Sequence, residues 1–121
     1  MDFEFCKMEI YIPTACFEAL REALRSVDAG HEGNYDSCLS YSKCMGCWRP
    51  LQGSHPYKGE KGKLCTEKEY KVEVLCRTEN VETTIRAVKA VHPYEVPVIN
   101  VIPLYQTGLG CSEKQGNMSG K

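Results

Sequence analysis

The 121-residue sequence predicts an α+β domain, one antiparallel sheet with two helices on one of its faces. Three observations predict it. Two well-separated segments alternate apolar and polar residues, each is followed by an apolar stripe of helical spacing, and a β-branched run closes the regular part. From Glu4 to Ile12, Cys6, Met8, Ile10 and Ile12 occupy one side, and Phe5, Lys7, Glu9 and Tyr11 the other, which is the period of a strand. Pro13-Thr14 ends it, with Thr14 as expected cap of a helix near 14–28 whose Phe17, Leu20, Leu24 and Val27 share one face before Ala29-Gly30 stops it.

Residues 30 to 66 hold Gly at 30, 33, 46, 53, 59 and 62 and Pro at 50 and 56, so backbone geometry dominates there. Only Cys38 to Ser42 and the Trp48 region read as strand-like. Alternation returns over Glu69 to Cys76, where Tyr70, Val72, Val74 and Cys76 alternate with Lys71, Glu73 and Leu75. Thr78 or Asn80 then caps a helix near 79–91 with the stripe Val81, Ile85, Val88 and Val91, which ends at His92-Pro93 because proline disfavours helical geometry in the preceding residue. Val96 to Leu104 reads as a last strand, and Pro97 and Pro103, which lack an N–H, place it at an edge. The order is βαββαβ, the ferredoxin-like plan. Phe5, Tyr11 and Tyr70 are assigned to the face opposite the helices, which suits cover by another subunit.

One domain over residues 1–105 and a flexible tail over 106–121 fit this length and pattern. Fifteen Lys and Arg against sixteen Asp and Glu leave a net charge of -1, which gives no general electrostatic reason to bind nucleic acid or an anionic membrane. No apolar run approaches a bilayer span, and Asp2 and Glu4 oppose a secretory leader, so a soluble, cytoplasmic protein is expected. Of eight cysteines, Cys6, Cys16 and Cys76 fall in apolar segments as buried thiols and Cys111 falls in the tail, which leaves Cys38, Cys44, Cys47 and Cys65 for chemistry.

Two stretches carry a resemblance. Ala90-Val91-His92-Pro93-Tyr94-Glu95-Val96-Pro97 resembles a His-Pro-Tyr-Glu-x-Pro signature shared by the CutA divalent-cation-tolerance proteins and the PII-like domain of the Ngg-interacting-factor-three (dinuclear-metal hexamer) family. The middle, with Gly33-Asn34-Tyr35-Asp36-x-Cys38, Trp48-Arg49-Pro50-x-x-Gly53-Ser54-x-Pro56 and Gly59-Glu60-x-Gly62-Lys63-Leu64, is similar to the second group. The resemblance runs from about Met8 to Leu104 and implies a PII-like fold, here standing alone. It implies neither the dinuclear metal chemistry nor a cyclohydrolase activity, since the ligands of that chemistry belong to a flanking domain. Where relatives read Gly-x-Gly-x-Phe, this chain reads Cys44-Met45-Gly46-Cys47-Trp48, a CxxC written over an expected glycine turn.

Several constellations invite chemistry. Cys38, Cys44, Cys47 and Cys65, with His31 or His55, are the ligand types of a tetrahedral zinc site, yet only one CxxC knuckle exists and less than one equivalent of zinc is expected. A redox CxxC needs a helix N-terminus that nothing after Cys47 supplies. Cys47 with His55 lacks a group to orient the imidazole, and Gly59-Glu60-Lys61-Gly62-Lys63 lacks the spacing of a phosphate loop. Gly33, Asn34, Tyr35 and Asp36 are candidates for a ligand-lining or subunit-contacting loop, or for a turn that organises the following hairpin. Arg49, His92, Tyr94 and Glu95 are candidates for the same cleft, with His92 or Glu95 as cation ligands, although a helix stop and a tyrosine hydrogen bond also account for the 92–95 corner.

The expected function is therefore a non-catalytic, oligomeric PII-like binding or regulatory module with its ligand at an intersubunit cleft. A metal-binding protein using the cysteine group or the His92/Glu95 region is the alternative, with a divalent metal ion as the candidate cofactor. The expected partners are further copies of the chain, a trimer by analogy or else a dimer, and a small molecule or metal ion, with no nucleic acid and no membrane.

Overall fold

A computed structural model describes residues 2–110 and shows one four-stranded antiparallel sheet with two helices. The strands are β1 (Phe5–Pro13), β2 (Leu39–Trp48), β3 (Cys65–Arg77) and β4 (Val98–Leu104), in spatial order β2-β3-β1-β4. The helices are α1 (Phe17–Ser26) and α2 (Val81–Val91). Cys6, Met8, Ile10 and Ile12 of β1 stand opposite Cys76, Val74, Val72 and Tyr70 of β3, so one face of the central pair is continuously apolar. Leu20 and Leu24 of α1 and Val88 of α2 close over that face, fully buried in one core with Met8, Ile10, Ile12 and Val72. Each such aliphatic side chain contributes about 1.5–3 kcal/mol.

Four local expectations are corrected. Tyr70 lies on the helix face, edge-on to Phe17 and Tyr41 with ring centroids 5.0 Å from each. Neither Thr14 nor Thr78 or Asn80 caps its helix. Each helix is entered through a tight 3-10 turn, Thr14–Cys16 and Thr78–Asn80, and the residue at each N-cap has φ and ψ outside the extended region that a capping side chain needs. The α2 stripe is centred on Thr84 and Val88, with Val81 and Ile85 at its flank. Thr84 is tolerated in the core because its hydroxyl donates to the Asn80 carbonyl oxygen at 2.8 Å. The last correction is the largest. Cys44-Met45-Gly46-Cys47 is no turn but the end of a continuous β2 paired with β3 from Leu39↔Val74 to Trp48↔Cys65.

β4, which starts just after Pro97, is an edge strand, as Pro103 within it suits. Thr78 N–H donates to the Glu4 carbonyl at 3.0 Å, which sets the phase of β1: even residues turn their polar backbone groups to β3 and odd residues to β4. Pro103, opposite Cys6, therefore stands where an N–H would point to the open edge and costs no ladder bond. Residues 106–110 carry on from β4 into a short 3-10 turn at Gly108–Gly110, and the rest of the expected tail lies outside the described residues.

Candidate functional site

The sheet face away from the helices is polar in the middle and apolar at its ends. Lys71 lies 3.9 Å from Glu9 and 3.5 Å from Glu73, and Lys7 lies 3.8 Å from Glu73, a cross-strand ion-pair lattice. Beyond it, where β1 and β2 end and β3 and β4 begin, lies a cleft of about 750 Å³. Tyr11, Cys44, Gly46, Glu69 and Val98 belong to its sheet side, and Trp48, Arg49, Pro50, Tyr57, Tyr94 and Glu95 also line it.

The loop after β2 forms one wall because three interactions tie it down. Trp48 Nε1–H donates to the Lys58 carbonyl at 3.1 Å, Lys58 Nζ pairs with Glu67 at 3.1 Å, and the Glu95 carboxylate accepts the His55 backbone N–H at 2.8 Å. Glu95 thus clasps the loop to the corner after α2. Tyr94 is the centre of the site. Its ring packs against Trp48, Tyr57 and His92 with centroids at 5.1, 5.8 and 4.9 Å, and its hydroxyl donates to Glu69 Oε2 at 2.6 Å. Burial first and the Glu69 carboxylate second push the Tyr94 phenol well above its ordinary range, so it remains a donor.

Glu69 is the residue that sequence reading passed over. On an alternating strand beside Lys71 and Glu73 it reads as one more solvated charge, yet it is only 4% exposed. No sequence signal short of the β2–β3 register finds it. Its carboxylate lies over Gly46, where a Cβ would overlap the carboxyl carbon and both oxygens. Gly46→Ala is therefore expected to push Glu69 off Tyr94 and to destabilise the domain by about 1–3 kcal/mol, in the range of other overpacking substitutions. Urea unfolding together with the tyrosine absorbance spectrum reads both effects.

His92 is buried behind the cleft with both ring nitrogens engaged. Nε2–H donates to the Tyr11 carbonyl at 2.6 Å and Nδ1 accepts the Tyr94 N–H at 3.3 Å, an arrangement that demands the neutral ring. Burial accordingly holds its pKa below that of a free histidine. In the unfolded chain the ring takes up a proton first, so this contribution to stability is complete above the ordinary histidine pKa and is lost as pH falls towards the lower folded value. Stability should drop between about pH 7 and pH 5, and His92→Gln, which keeps a donor, should flatten that slope in pH-resolved denaturant titrations.

The candidates from sequence do not all converge. Arg49, Tyr94 and Glu95 line the cleft and His92 backs it, but the Gly33 to Asp36 loop lies at the other end of the sheet, with Gly33 near Phe5, His31 and Arg77. Phe5 and Tyr11 mark the two ends, six strand residues or roughly 20 Å apart. Asn34 and Tyr35 are exposed there, in a turn held by reciprocal backbone bonds between Glu32 and Tyr35. Cys38 is also at that end, with Lys7 and Glu32. Cys44 and Cys47, three apart on a strand, point to opposite faces, and Cys65 stands opposite Trp48. Burial, then Glu69, raises the Cys44 thiol above its ordinary pKa, the reverse of what a thiolate ligand or nucleophile needs. Among the described residues no group of three or more His, Cys, Asp or Glu is arranged to hold a metal ion.

A ferredoxin-like sheet with a cleft at the His92-Pro93-Tyr94-Glu95 corner defines a domain of the PII/CutA class. Residues 42–109 match the family described as CutA1 divalent ion tolerance protein, and the chain belongs to that family. Its sequence is also similar to the NIF3-related proteins. It is 37% identical over 111 residues to a GTP cyclohydrolase 1 type 2 homolog of Listeria innocua, covering 88% of this chain and 30% of that protein. The corresponding protein of Bacillus subtilis is 34% identical over 108 residues, covering 86% and 29%. Among solved structures, a Bacillus cereus protein related to NIF3 superposes with a TM-score of 0.74 at 30% identity, over 86% of this chain and 26% of that one. The periplasmic divalent cation tolerance protein CutA of Archaeoglobus fulgidus shares the fold, with a TM-score of 0.63 at 20% identity over 85% and 86% of the two chains. The chain thus spans less than a third of the curated relatives it matches. No helix among the described residues is long and apolar enough to cross a membrane.

Proposed function

We propose that this chain is a binding or regulatory module without catalysis of its own, which assembles with further copies of itself and takes a small ligand in the cleft beside Tyr94. The observation that carries the reading is the cleft. At about 750 Å³, walled by Trp48, Tyr57 and Tyr94 and floored by one buried carboxylate, it has the size and the few convergent polar groups of a ligand site. Its neighbour β4 supplies the reason for assembly. Val98 and Ile102 are 48% and 38% exposed on the outer face of an edge strand, and Val98 also lines the cleft. A second chain laid on that edge deepens the cleft and covers them.

The binding reading is favoured over catalysis by the histidines. Among the described residues no His ring is hydrogen-bonded to a Ser, Thr, Cys or Lys side chain that it could activate, and a nucleophile needs a base. The seven described cysteines are all free, Cys47 among them exposed, which suits a reducing cytoplasm. Sedimentation velocity at micromolar concentration is expected to show a trimer, and Ile102→Lys, which places a charge on the contact, should release monomers. A wild-type monomer under those conditions would remove the second wall of the cleft and overturn the reading.

A further inference from the structure

Glu69 is electrostatically incomplete. A carboxylate this deeply buried is ordinarily matched by a cation, because losing its hydration is costly. Here Tyr94, a neutral donor, makes the one hydrogen bond that the described residues give it, and no Lys, Arg or His of those residues lies within ion-pairing distance. The nearby cations are otherwise engaged: Lys71 serves Glu9 and Glu73, Lys58 serves Glu67, and His92 is held neutral by its two hydrogen bonds. Arg49 is exposed. The carboxylate nevertheless lines the cleft, with Trp48, Tyr57 and Tyr94 around it. An aromatic wall beside a buried anion is the chemistry that recognises an organic ammonium group, through the faces of the rings and the charge together.

We propose that the cleft binds a small amine in its protonated form, with the ammonium group paired to Glu69 and the apolar body against Trp48 and Tyr57. This rests on the reading of the cleft as a ligand site and adds the class of ligand. A hard divalent cation is disfavoured, since it needs several oxygen ligands and among the described residues no group of three or more His, Cys, Asp or Glu is arranged to hold one. A lysine side chain from a second copy of the chain would meet the charge but leave most of about 750 Å³ empty.

Trp48, the single tryptophan, stands in the cleft and reports on it. The probes are phenethylamine, its neutral counterpart phenethyl alcohol and its anionic counterpart phenylacetate, each titrated against Trp48 emission with calorimetry as the second readout. The amine is expected to bind at least tenfold more tightly than the alcohol. Glu69→Gln, which keeps the shape, should remove that advantage, and Gly46→Ala, which keeps the charge but displaces it, should weaken amine binding severalfold in protein of native circular dichroism. Equal binding of amine and alcohol, or amine binding unaffected by Glu69→Gln, would overturn the ammonium assignment and leave the cleft as a ligand site. Preferred binding of phenylacetate, lost in Arg49→Ala, would do the same. A Glu69→Gln protein that dissociates into monomers would assign the carboxylate to a cation of the neighbouring copy, against the proposal. No response of Trp48 to any of the three probes would count against both the assignment and the cleft reading.

Discussion

Gly30→Ala is expected to lower the stability of the domain by about 2–4 kcal/mol, a large share of the roughly 5–15 kcal/mol available to a domain of this size. Gly30 follows α1 with φ +78°, where a Cβ costs about 1–2 kcal/mol from the backbone alone. The space is the second cost. A Cβ there would lie 2.5 Å from the Cys38 carbonyl oxygen and 3.1 Å from Val74 Cγ2, and neither can withdraw. Gly30 N–H donates to Leu75 O at 2.9 Å and its own carbonyl accepts from Cys38 N–H at 3.0 Å, so the residue is pinned to β3 on one side and to the start of β2 on the other. Gly33→Ala is the control. Its φ is +62° but nothing lies within 4 Å of the added carbon, so only the backbone cost of about 1–2 kcal/mol remains. Urea midpoints at unchanged slope separate the two, and equal losses would show that the close approach at Gly30 relaxes.

Tyr94→Ala is expected to damage stability, assembly and ligand binding together. The ring is half-buried against Trp48, Tyr57 and His92, and truncating an aromatic side chain in a core costs about 3–5 kcal/mol, an upper bound here. It also strips Glu69 of its hydrogen bond, and an unsatisfied buried acceptor adds about 1–3 kcal/mol. Tyr94→Phe isolates that second part by keeping the ring. A blue-shifted Trp48 should become red-shifted in the alanine protein as the wall opens, and sedimentation should show weaker assembly. An alanine protein with native stability and a native oligomer would mean that the loop after β2 holds its position through Glu95 and Lys58 alone.

The corner that carries Tyr94 was legible in sequence, and the contrast with Glu69 shows why. Tyr94 belongs to a run, His92-Pro93-Tyr94-Glu95, in which the proline ends α2 and so presents the next residues at a turn. Glu69 has no such local marker. The CxxC stretch reads as a turn for a related reason: Gly46 is of a type depleted in strands, and β2 is extended because β3 reaches back to Cys65 and offers it a complete ladder.

What the sequence determined by itself is whatever depends on neighbours along the chain. The periods of two and of three to four placed β1, α1, β3 and α2, a β-branched run placed β4, and two prolines marked it as an edge. Only the tertiary structure decided the site. The β2–β3 register sets Gly46 beside Glu69, the loop after β2 closes through Trp48, Lys58 and His55, and Tyr94 arrives from the far end of α2 to bond a residue 25 positions earlier. Burial of a charge is a property of everything packed around it, and these contacts join segments whose sequences carry no period in common.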